Sequence, residues 1–130
     1  MIWTCSRLAT FIVLFCLALI SVESQSLAGM KEGMALLKAG KHDAAVIELE
    51  KAVADGEAGA AELLGEIFYF GVGESKNPER GCDFFEIAAK AGVASAQHNL
   101  AGCFHAGKGW KTDFAQSLVW YRKAMGNGYT

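Results

Sequence analysis

The chain has 130 residues, enough for one domain of modest core, and its 12 basic and 14 acidic side chains give a formal net charge of −2. That weak, mixed charge excludes the basic surface that nucleic-acid binding needs.

The first predicted element is N-terminal. Residues 1–24 read MIWTCSRLATFIVLFCLALISVES, with one base, Arg7, then an apolar run from Leu8 to Val22 and polar residues after it. Val22 and Ser24 supply the small side chains expected before a cut, so Gln25 is the predicted first mature residue of a secreted chain. The run of 15 residues falls short of the roughly 20 that a spanning helix needs, which favours a cleaved signal helix over a retained anchor. Phe15 precedes Cys16 where lipidation would want a small residue. The expectation is an exported protein, periplasmic or secreted if bacterial, that meets the membrane only transiently during export. Cleavage removes Arg7 and Glu23 together, leaves the charge unchanged, and keeps Cys82 and Cys103 where a disulfide can form.

Next comes GMALLKAGKHDAAVIELEKAVADG, residues 33–56, where Gly33, Leu36, Gly40, Ala45, Leu49 and Ala52 mark a short helix pair with a tight AGKHD turn. Helices are predicted over about 27–39 and 42–55. Two longer units follow, residues 57–92 and 93–128, in register at a shift of 36 residues. Identities recur at Ala58/Ala94, Ala60/Ala96, Leu64/Leu100, Phe68/Phe104, Gly71/Gly107, Gly73/Gly109, Ala88/Ala124 and Gly92/Gly128. Matches at one fixed period signal a repeat architecture. In each unit an apolar stripe at helical spacing runs to a G-x-G loop. Asn77 or Asp113 then caps a second helix, which ends at Gly92 or Gly128. Helices are predicted over 58–70 with 77–91 and over 94–106 with 112–126. Small residues at 65/101, 81/117 and 88/124 let helices approach, and aromatics at 68/104 and 84/120 fill the space beside them.

The pattern A-x-x-x-L-G/A-x-x-F, then G-x-G, then an aromatic pair before an alanine (WYRKA in the last unit), closely resembles Sel1-like repeats, which belong to the tetratricopeptide-like solenoids. Residues 57–128 carry two such repeats, and the pair over 27–56 is similar to a tetratricopeptide unit. Ala101 stands where the family usually has glycine, and Gly81 and Ser117 where it usually has alanine. The resemblance implies an all-α fold: an α/α solenoid of three antiparallel helix pairs preceded by the N-terminal signal helix.

Candidate chemistry is sparse. Cys82 and Cys103 meet if the helices on either side of Gly92 fold back on each other, as a disulfide or as two buried small hydrophobes. Redox catalysis is disfavoured because no C-x-x-C is present. Related cysteine-rich exported proteins carry paired cysteines in each repeat, a spacing this chain lacks. His98 and His105 are seven residues apart on one helix, about 10 Å, too far to hold one metal together. His42 lies in the AGKHD turn and reads as solvated. No S-x-x-K or G-x-S-x-G occurs, and the G-x-G loops join helix to helix, so they read as turns rather than phosphate cradles. No catalytic residue, metal or cofactor is expected.

Surface is what remains. In tetratricopeptide-like solenoids the first helix of each pair lines a concave groove for partner segments. The resemblance places Met30, Met34, Leu37, Glu62, Glu66, Tyr69, Phe70, His98 and His105 toward it, a mixture suited to peptide recognition. The expected function is a non-catalytic protein–protein interaction module with a protein or peptide partner. Two alternatives stay open. One is self-assembly, for example as a homodimer, through Leu118, Val119 or Tyr121 of the last repeat. The other is a cell-wall-directed hydrolase, because some cysteine-rich relatives have been assigned penicillin-binding or β-lactamase activity.

Overall fold

A computed structural model describes residues 28–73 and 76–130, with Ile12 alone ahead of them. Apart from Ile12, the expected signal peptide lies outside the described residues. Among the described residues six helices follow one another: α1 over residues 28–38, then α2 His42–Ala54, α3 Ala58–Glu66, α4 Pro78–Lys90, α5 Ala94–Ala106 and α6 Phe114–Gly126. No strand occurs among the described residues. The helices form three antiparallel pairs stacked as a solenoid.

Side chains of matching type start and stop the second helices at matching places. The Asn77 side chain accepts from the Arg80 backbone N–H at 3.1 Å, and Asp113 accepts from Gln116 at 3.0 Å. The backbone N–H groups of these two capping residues donate back to Phe68 and Phe104 at 2.8 and 2.9 Å, tying each loop to the helix before it. Pro78 adds a helix-ready first residue. At the far ends Gly56, Gly92 and Gly128 take φ of 94°, 95° and 89°. This left-handed turn lets Glu57, Val93 and Tyr129 donate to the carbonyls of Ala52, Ala88 and Ala124 at 3.0–3.1 Å. A side chain would strain that turn, so glycine recurs there at the repeat period.

Most helix ends fall within a residue of expectation, α6 starts at Phe114 instead of 112, and the largest difference is in α3. The α-helical part of α3 ends at Glu66, and a π-helical turn, Ile67–Gly71, completes it, with Val72 N–H donating to Ile67 O at 3.1 Å. The matching stretch of α5 stays α-helical to Ala106. The widened turn accompanies the run Phe68-Tyr69-Phe70 and the absence of a side chain at Gly81, where a Cβ would lie 2.6–2.8 Å from Tyr69 backbone and Cβ atoms. In the second repeat Ser117 occupies that position and donates to Ala101 O at 2.9 Å.

The core lies between successive helices. One cluster joins Leu49 and Ala52 of α2 to Ala60, Leu64, Ile67 and Phe68. The other joins Cys82, Phe85, Ala88 and Ala89 of α4 to Ala61 behind and to Ala96, Leu100 and Cys103 ahead. Gln97, buried at the second junction, donates to Ala89 O and accepts from Asn127, so its amide is satisfied where burial would otherwise be costly. Arg80 bridges two pairs, bonding Glu50 and lying 4.3 Å from the centre of the Phe68 ring. Cys82 of α4 is disulfide-bonded to Cys103 of α5, their Cα atoms 6.0 Å apart.

Candidate functional site

The first helices of the three pairs, α1, α3 and α5, carry the residues assigned to the groove. Met34 is 38% exposed on α1 and Phe70 is 61% exposed in the π-helical turn. Glu66 and His105 are exposed, and Glu62, Tyr69 and His98 are half-buried. Met30 and Leu37 pack against the first core cluster. The sulfur of Met30 would lie 3.1 Å from a Cβ built on Gly59, so Met30 also helps hold α1 on α3.

On α3, Glu62 and Glu66 stand one turn apart. The Glu66 carboxyl is held above its ordinary 4.5, first by partial burial and then by the negative charge of Glu62. Among the described residues no cationic side chain forms an ion pair with either one; the three ion pairs are Lys51–Glu48, Arg80–Glu50 and Lys90–Glu86. Tyr69 follows, its ring 5.0 Å from Phe70 edge-on and 5.8 Å from Phe85. Burial pushes its phenol above 10.0, with Tyr121 a smaller contributor. Lys108 places its ammonium 4.6 Å from the Tyr69 ring centre and donates to the Tyr69 carbonyl at 3.4 Å.

The two histidines belong to different surroundings. His98 stacks on Tyr129 at 4.5 Å and meets Tyr121 at 5.1 Å. With Ala124, Met125 and Thr130 these rings line a half-open, mostly apolar hollow of about 440 Å³. His105 meets Phe114 at 5.5 Å. Glu62, Glu66, Tyr69 and Phe70 are thus neighbours along α3, while each histidine engages aromatic side chains of α6 or the residues after it.

Lys108 and Tyr129 are the residues sequence reasoning missed. Lys108 lies in a glycine loop with no pattern of its own, and only the fold brings it to Tyr69. His42 also differs from its reading. Its Nδ1 is buried without a hydrogen-bond partner, and its ring lies beside Gly73 of the next unit's loop. No group of three or more His, Cys, Asp or Glu side chains suited to a metal occurs among the described residues. None of the described helices is long and apolar enough to cross a membrane.

Stacked pairs of this geometry define a class, the tetratricopeptide-like solenoids. Within it, the family model for the Sel1 repeat matches residues 58–93 and 94–129, more than half of the chain, and the protein belongs to that family. Among solved structures it is similar to a Sel1 repeat protein from Oxalobacter formigenes, with 26% identity and a TM-score of 0.72 over 79% of this chain and 44% of that one. It also shares its fold with c5321, a protective antigen present in uropathogenic Escherichia coli strains. There the identity is 24% and the TM-score 0.73, over 82% of this chain and 24% of that one. The chain therefore spans less than half the length of either. No match came from the curated proteins. Sel1 repeats are commonly protein–protein interaction modules and typically non-enzymatic scaffolds.

Proposed function

We propose that the protein is an exported, non-catalytic interaction module that docks a partner segment along the face presented by α1, α3 and α5. The observation that carries this reading is the aromatic and acidic lane of α3. Phe70 is 61% exposed although its ring lies 5.0 Å from that of Tyr69, which packs on the core, and Glu62 and Glu66 form no ion pair with any side chain of the described residues. A helix that keeps an aromatic in solvent and leaves two carboxylates one turn apart unpaired is arranged for something outside the chain. Export is supported by the sequence pattern of residues 1–24. The test is capture of partners from the cell that makes the protein, comparing the native chain with Tyr69→Ala and Glu66→Lys. Loss of the same band in both variants, with helicity unchanged by circular dichroism, is expected. Equal capture by all three chains removes the groove assignment.

One observation favours a second reading, self-assembly. Leu118 and Val119 are 50% and 45% exposed, and Met125 is 72% exposed where its repeat equivalent Ala89 is 2% exposed. Sedimentation velocity across a wide concentration range distinguishes the two, because a strict monomer removes self-association.

A further inference from the structure

We infer that the partner segment is basic and apolar in alternation, an Arg or Lys side chain meeting Glu62 and Glu66 while an aliphatic or aromatic side chain covers Phe70. This rests on the groove reading above and names the chemistry of its occupant. Charge complementarity carries it. The carboxylates Glu48, Glu50 and Glu86 on the second helices each hold a lysine or arginine of the chain itself. Among the described residues no lysine or arginine forms an ion pair with Glu62 or Glu66 on the candidate face, and the charge acting on Glu66 is that of Glu62. Burial and mutual repulsion already raise the Glu66 carboxyl, the condition of an anion lacking its counter-charge. The same lane also accepts a cation where the chain supplies one, since Lys108 rests its ammonium on Tyr69 at 4.6 Å. Neither Lys108 nor Lys76, whose stem packs against Gly71 at the end of the same turn, forms an ion pair with Glu62 or Glu66 among the described residues, so both carboxylates stay open to a cation from outside. Phe70 supplies the apolar contact beside it, 5.0 Å from Tyr69. A guanidinium or ammonium held by the two carboxylates, with the rings of Tyr69 and Phe70 further along the helix, gains charge-assisted hydrogen bonds and ring contacts together.

The experiment uses the full chain and a fluorescein-labelled synthetic peptide alternating arginine and leucine, followed by anisotropy. A counterpart with glutamate in place of arginine serves as the opposite charge. The arginine peptide is expected to bind in a saturable way below about 1 mM, a range suited to a short flexible segment. The double variant Glu62→Gln with Glu66→Gln should weaken it at least about tenfold, the effect of losing one well-placed charge pair. Glu48→Gln with Glu86→Gln, on the second helices, should leave it within about twofold. Absence of saturable binding overturns the proposal, as does equal binding of the glutamate peptide or indifference to the Glu62/Glu66 variant. Phe70→Ala separates the two levels. If it weakens binding while the glutamine pair does not, the basic chemistry fails and the groove stands; if neither changes binding, both fail. A dimer in sedimentation that Phe70→Ala dissociates would identify a second copy as the occupant and overturn the proposal.

Discussion

A Cβ added at Gly65 would lie 2.4–2.5 Å from Cδ1 and Cε1 of Phe85, a fully buried ring with little room to withdraw. Gly65→Ala should therefore destabilise the fold by about 1–3 kcal/mol, the usual effect of overpacking a filled core. Gly102, in α5, has nothing within 4 Å of its Cβ position, so Gly102→Ala should be stabilising by about 0.5–1 kcal/mol through helix propensity alone. Urea unfolding of the two variants checks the pair, and equal effects would contradict the packing account. Glu66 makes a different prediction. Its raised carboxyl means that ionisation is harder in the folded chain than in the unfolded one. Stability from this group is then full below the unfolded value and lost as pH rises through the folded one. Glu66→Gln should melt at a higher temperature than the native chain at pH 7, and the difference should vanish near about pH 4. A gain that persists unchanged in acid would contradict the assignment.

At the scale of elements, caps and closing glycines were legible because each needs a specific residue at one place. Asn77, Asp113, Gly92 and Gly128 could be read from the chain, and all four perform the expected hydrogen-bonding or left-handed role. Asn77→Ala should lower stability by about 1 kcal/mol, measured by urea unfolding, with loss confined to the released Arg80 N–H. The π-helical turn Ile67–Gly71 was not legible, since its apolar pattern is equally that of an α-helix. It coincides with the close approach of α4 to Tyr69 at Gly81, a contact between elements that no local pattern records. The second glycine of the second loop is a similar case. Gly109 takes φ 95°, and a Cβ there would come within 2.6–2.8 Å of Pro78 and Glu79 backbone atoms. It seats one repeat's loop on the previous repeat's helix start, so what reads in sequence as a turn is also a joint. The disulfide joins those same two repeats across a separation of 21 residues. Replacing Cys82 and Cys103 together by alanine should lower stability by about 2–4 kcal/mol. An unchanged urea midpoint would show that the bond adds nothing to the stack.

For the whole molecule, repeat order followed from one period of 36 residues, because every unit must bury its face on the next, and the solenoid followed from the resemblance to Sel1-like repeats. The shorter first pair stands outside that period, since its tight AGKHD turn replaces the longer glycine loop. Its pairing instead rests on contacts such as Gly33, whose Cβ would meet the Leu49 side chain at 2.6–2.7 Å. The candidate face was legible only as a list of positions on three helices. Its charge balance, the outward Phe70 and the lysine on Tyr69 come from the packed chain. The most direct measurement places a photo-crosslinking amino acid at Phe70, and in a parallel chain at Ile87, which is 47% exposed on the second helix α4. Irradiation in the cell that makes the protein should give a discrete adduct from position 70 and none of that size from position 87. Adducts from position 87 alone, or the same adducts from both, would contradict a partner held on the first helices.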